Sequence, residues 1–106
     1  MTTVTITNAA GKTKDLIAVD LTGSEKQIAW ATTMRTEFFS SLLVFARMAW
    51  DEEYKGKLEP RDYQALCTQA QEWYLAQDNA GFWIDNRDDG DVSFKDTIAR
   101  FANKGE

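Results

Sequence analysis

The sequence predicts a predominantly helical α+β fold, in which an N-terminal β-hairpin precedes a long central helix and two or three shorter helices. Three observations carry that prediction. Residues 3–7 alternate apolar and polar with β-branched side chains, as a half-buried strand does. From Ile28 to Ala49 apolar residues recur at spacings of three and four, the period of one helical face. Pro60 and the Asp88-Asp89-Gly90 loop then punctuate two further stretches of helical period. At 106 residues the chain fits a single domain over 1–106.

The hairpin pairs Thr3–Thr7 with a returning strand over Thr13–Val19, joined by a turn at Asn8-Ala9-Ala10-Gly11, where Asn and Gly tolerate positive φ. Two strands alone are marginal in water, so the hairpin must pack on the helices or pair elsewhere. The helical signal begins at Ser24 with Gln27, the spacing of a capping box; Thr22 with Glu25 offers the same pairing two residues earlier. Ile28, Ala31, Met34, Phe38, Leu42, Phe45 and Ala49 form the inward stripe, and Trp30, Phe39, Leu43, Ala46 and Trp50 widen it. The expectation is one helix of about 25 residues whose second half is apolar nearly all round.

Asp51-Glu52-Glu53 to Leu58, with Gly56 inside, reads as a polar connection. Pro60 suits the first turn of the second helix, where its missing N–H costs nothing. Tyr63, Leu66, Cys67, Ala70, Trp73 and Tyr74 mark that helix's buried face. After a break at Asp78-Asn79-Ala80-Gly81, Phe82-Trp83-Ile84 makes a short apolar anchor. A last helix is expected from near Ser93, with Phe94, Thr97, Ile98, Phe101 and Ala102 inward and the tail Asn103 to Glu106 frayed.

Composition narrows the function classes. Histidine is absent and Cys67 is the one cysteine, which removes the commonest general base, the Ser-His and Cys-His nucleophiles, a disulfide within the chain and any thiolate cluster for zinc. The reading is therefore non-enzymatic, with no cofactor. The net charge of −5, with cations scattered from Lys12 to Lys104, disfavours direct nucleic-acid binding. The longest apolar-rich run, Phe38 to Trp50, contains two serines and Arg47 and falls short of the roughly 18 residues of a membrane span. Met1-Thr2-Thr3-Val4 lacks a basic region followed by an apolar one, so no secretory signal and a cytoplasmic location are expected.

Four stretches could carry chemistry. On a twelve-residue EF-hand loop, Asp85, Asp89, Asp91 and Ser93 take positions one, five, seven and nine, and Gly90 takes the sharp turn. Arg87 opposes that reading by bringing a positive charge to a ligand position, and Asp96 is one methylene shorter than the expected glutamate. The competing reading is a solvated acidic loop that caps the last helix through Asp91 or Ser93. Cys67, on an apolar face, reads as a buried structural thiol. Asp51, Glu52 and Glu53 read as solvated surface carboxylates, and Lys55, Lys57 and Arg61 dilute any DNA-mimicking acidic face. Trp30, Trp50, Trp73 and Trp83 read mainly as core. The long helix nevertheless carries more apolar girth than a hairpin and shorter helices cover, and any surplus makes an exposed patch for self-association or a partner.

Two segments, Leu21-Thr22-Gly23-Ser24-Glu25-Lys26-Gln27-Ile28-Ala29-Trp30-Ala31 ending at Arg35, and Phe82-Trp83-Ile84-Asp85-Asn86-Arg87, resemble signatures of a loosely defined group of small proteins from bacterial phages and mobile elements. The group has no activity to transfer, and the hairpin and the acidic loop lie outside the match. The resemblance implies that Trp83 and Ile84 anchor the second segment, while Asp85 and Arg87 fix it by pairing with helix ends or each other. Small acidic phage proteins often resemble inhibitors of host defence or regulatory proteins, anti-CRISPR proteins among them. The expected function is thus a protein that binds and inhibits or modulates a bacterial host protein, with Asp85, Arg87, Asp88, Asp89 and Asp91 as partner-binding residues. The alternative is a small-molecule or calcium-like metal-binding module using the loop 85–96. A homo-oligomer, including one that binds nucleic acid, stays open.

Overall fold

In the computed structural model, which describes residues 1–7 and 11–104, alternation at the N-terminus becomes an antiparallel hairpin of β1 (Thr2–Thr7) and β2 (Thr13–Ala18). Val4 pairs with Leu16 and Thr2 with Ala18, and Val4, Leu16 and Ala18 are buried. The opposite face pairs Thr5 with Asp15, and the Thr5 hydroxyl donates to the Asp15 carboxylate at 2.8 Å. The period of two thus sends one face of the hairpin to the core, against the first helix. Gly11 carries a φ of +80° at the turn, while Asn8, Ala9 and Ala10 lie outside the described residues.

Helix α1 (Glu25–Ser40) starts at the Ser24 capping box: the Ser24 hydroxyl accepts from the Gln27 N–H, and the Gln27 side chain accepts from the Ser24 N–H. Thr22, the other candidate cap, has a different task. Its N–H donates to the Asp78 carbonyl at 2.7 Å and its carbonyl accepts from Ala80 at 3.0 Å, a parallel bridge that joins the chain before α1 to the segment after α3.

The expected single helix of about 25 residues is interrupted. It divides at Ser41 into α1 and α2 (Leu42–Ala49), and a π-helical turn over Trp50–Tyr54 follows. Before the break, Thr32, Thr36 and Ser40 each donate a hydroxyl to the carbonyl four residues back, at 2.7, 3.0 and 2.9 Å along one face of α1, a bond that favours helix bending. The acidic triplet Asp51-Glu52-Glu53 is accordingly helical rather than part of the loop, and the connection proper is the turn around Gly56 at φ +81°.

Helix α3 (Pro60–Leu75) begins on its proline and buries Tyr63, Ala70 and Tyr74. The apolar anchor is a short helix, α4 (Ala80–Asp85), capped by the Asn79 side chain accepting from the Gly81 N–H at 2.8 Å. Helix α5 (Gly90–Lys104) starts three residues before the expected Ser93. Gly90 is therefore not a left-handed loop position. A Cβ there would stand 3.2 Å from the Phe45 ring and 3.3 Å from the Phe38 ring, so the glycine permits close approach of α5 to α1 and α2.

The core joins these elements. Phe39, Tyr74, Phe94 and Ile98 are almost fully buried, each side chain contributing on the order of 1.5–3 kcal/mol of apolar burial. Phe38 packs against Phe39, Phe45, Tyr74 and Trp83 with ring centroids 4.5–5.7 Å apart. The Tyr74 hydroxyl bonds to Ser93 at 2.8 Å and Thr97 at 2.9 Å, locking α3 to α5. Among the described residues no helix is long and apolar enough to cross a membrane.

Candidate interaction surface

The apolar surplus of the central helix emerges on α2. Its inner side offers Leu42, Phe45, Ala46 and Ala49 to the core, and Tyr63 reaches from α3 to donate its hydroxyl to the Ala46 carbonyl. The outer side leaves Leu43 73%, Val44 58% and Met48 37% exposed, with Arg47 among them. Helical spacing places Leu43 with Arg47 and Val44 with Met48, one turn apart on one face. Eight residues that are apolar nearly all round cannot be covered by neighbours on one side only.

Carboxylates stand at both ends of this face. Asp51, Glu52 and Glu53 follow it in the π-helical turn and are exposed, and Glu52 pairs with Lys95 of α5. Three carboxylates at the C-terminal end of a helix oppose its dipole, an arrangement that does not favour the helix itself. At the other end lies the turn between α4 and α5. It is built by Asn86, whose side-chain amide donates to the Phe82 carbonyl at 2.7 Å, and by the Asp89 N–H, which donates to the Asn86 carbonyl at 3.2 Å.

Arg87 fixes that turn through a helix end: its Nη1 donates to the Ile84 carbonyl at 2.7 Å and its guanidinium lies 5.2 Å from the Trp30 ring centroid. Its ion pair is with Asp88 at 3.8 Å, not with Asp85. Trp30, expected mainly as core, is 48% exposed under this arginine, whereas Trp83 is buried and donates its indole N–H to the Gln77 carbonyl. The two segments of the phage-protein resemblance, distant in sequence, are thereby neighbours as α1 and α4.

Of the five residues singled out in the sequence, Arg87, Asp88 and Asp91 line one cleft of about 250 Å³, together with Glu37, Phe38 and Phe45. Asp85 and Asp89 are exposed beside it. The segment 85–96 does not fold as an EF-hand loop. Asp91, Ser93 and Asp96 are in α5, so they cannot wrap a cation, and the Ser93 hydroxyl is engaged by Tyr74. Among the described residues no group of three or more carboxylate or thiol side chains is placed to hold a metal ion. Cys67 is half-buried, and burial pushes its thiol up despite a hydrogen bond with Tyr63, which keeps it protonated at neutral pH.

Leu43, Val44 and Met48 are exposed apolar residues of α2 that the sequence does not single out as a group. Their signal was present in the uninterrupted apolar run, but which side faced out depended on the break at Ser41. No protein-family model, curated protein or solved structure matches this chain.

Proposed function

We propose that the protein acts without catalysis, by occupying a surface of another protein through the outer face of α2 and the acidic turn beside it. The observation that carries this reading is the exposure of Leu43, Val44 and Met48 on one helix with carboxylates at both ends. A stable interface buries about 800 Å² on each partner, more than three side chains provide, so the turn at 86–89 must join the footprint.

Charge selects the kind of partner. An antiparallel meeting of two α2 helices would bring the exposed Asp89 of one copy toward Asp51 and Glu53 of the other, with like-charge repulsion. A partner with an apolar patch and a basic rim meets no such penalty. The resemblance of residues 21–35 and 82–87 to phage and mobile-element proteins supports a bacterial host protein, with inhibition or modulation of a defence complex as the outcome.

The test is capture from a bacterial lysate by the tagged chain, run beside the folded double variant Leu43→Asp/Val44→Asp and the hairpin control Ile17→Asp. One stoichiometric basic protein should be retained by the wild type and the control and lost by the double variant. Equal retention by the double variant would remove α2 from the binding surface.

A further inference from the structure

We infer that the cleft between α1, α2, α4 and the start of α5 receives one cationic side chain of the partner, an arginine guanidinium. This rests on the reading that a basic protein docks beside α2, and it names the subsite that reads its charge. The floor is aromatic: Phe38 lies 5.7 Å from Phe45 and 5.5 Å from Trp83, and all three rings line the cleft. Flat aromatic surfaces favour a planar, weakly hydrated guanidinium over a compact ammonium.

The rim offers acceptors and few donors. Glu37, Asn86, Asp88 and Asp91 surround the opening. Among the described residues, nothing donates to the Glu37 or Asp91 carboxylates or to the Asn86 Oδ1. The donor groups present each make a contact within the fold. The Asn86 amide faces the Phe82 carbonyl, the Ser93 hydroxyl meets Tyr74, and Arg87 holds the Ile84 carbonyl and the Trp30 ring. The Ser41 hydroxyl can accept as well as donate. Arg87 offsets Asp88 and Lys95 partly offsets Asp91, which leaves the rim a net negative charge carried by Glu37. A group with five donors and no acceptor is the complement of such a rim. The size agrees: about 250 Å³ is below the roughly 300–1,000 Å³ of small-molecule sites and suits one long side chain.

The test is an NMR titration of the full chain at low salt with Nα-acetyl-arginine methylamide, beside the neutral isostere Nα-acetyl-citrulline methylamide and the lysine analogue. The expected result is saturable shifts at Glu37, Ser41, Asn86 and Asp91 and at the Trp83 indole with the arginine probe, weaker shifts with lysine and none with citrulline. Glu37→Gln/Asp91→Asn should weaken the arginine response about 10-fold or more, as loss of charge-assisted hydrogen bonds requires. Leu43→Asp/Val44→Asp should leave it unchanged, so failure of the cleft and failure of the α2 face are read separately. A citrulline response equal to that of arginine, tighter lysine binding, no saturation, or full binding by the Glu37/Asp91 variant would each overturn the assignment.

Discussion

The Arg35 guanidinium is almost completely buried between α1 and the hairpin, where its Nη1 donates to the Val19 carbonyl at 2.8 Å while its Nε finds no acceptor among the described residues. The nearby Asp20 carboxylate accepts instead from the Thr2 hydroxyl and the N-terminal ammonium. Burial pushes the Arg35 guanidinium below its ordinary value, with Asp20 opposing, yet it stays charged at neutral pH. A buried cation with one good hydrogen bond fills space more than it stabilises.

Replacing Arg35 should therefore separate volume from charge. Arg35→Ala leaves a cavity and should cost about 3 kcal/mol in urea unfolding. Arg35→Met keeps most of the volume and removes the desolvated charge, so its cost should be about 1 kcal/mol or less. Equal losses in the two variants would show that the charge itself stabilises the junction.

Gly90→Ala should destabilise the fold by about 1 kcal/mol, although alanine is the better helix former. The added methyl would crowd Phe45 and Phe38, and Phe38 is held by four aromatic neighbours. Thermal melting checks this directly. An unchanged or raised Tm would mean that the two rings can yield.

Burial raises the hydroxyl pKa of Tyr54, Tyr63 and Tyr74 above the ordinary 10.0, most strongly at Tyr63. The unfolded chain sheds protons that the folded chain keeps, first from the raised Cys67 thiol above about pH 9 and then from these tyrosines above pH 10, so stability should begin to fall near pH 9 and fall more steeply past pH 10. Tyr63→Phe should flatten that fall by up to about 1.4 kcal/mol per pH unit. Urea unfolding between pH 8 and 11 measures the slope; no difference from the wild type would place the ionisation elsewhere.

Leu43→Asp should leave stability within about 0.5 kcal/mol of the wild type, because the side chain is 73% exposed. Chemical denaturation gives the number. A loss of several kcal/mol would mean that Leu43 is needed by the fold rather than by a partner.

Much of this fold was legible because local signals agreed with burial. The Ser24–Gln27 box, Pro60, and the inward Tyr63, Ala70, Tyr74, Phe94, Thr97 and Ile98 all stand where their spacing put them. The break at Ser41 was not legible from glycine or proline, since neither is there, nor from the apolar periodicity, which runs through it without interruption. Gly90 read as a loop residue because glycine marks turns and close approaches alike, and only the positions of Phe38 and Phe45 decide between them. For the candidate site, Arg87, Asp88 and Asp91 were found from charge alone, but Glu37 was not, since it reaches the cleft from the other end of the sequence.

The bridge between Thr22 and Asn79 makes a closed circuit of the middle of the chain, with the Thr22 hydroxyl meeting the Asp78 carbonyl across 56 positions. Closing a circuit of that size costs about 3.5 kcal/mol of chain entropy beyond a constant, returned only when α1 and α4 meet. The hairpin and first helices thus have no separate folding transition from the C-terminal half. A nick at the exposed turn around Gly56 would yield two pieces that each lack a complete core, and they would regain order only by finding one another.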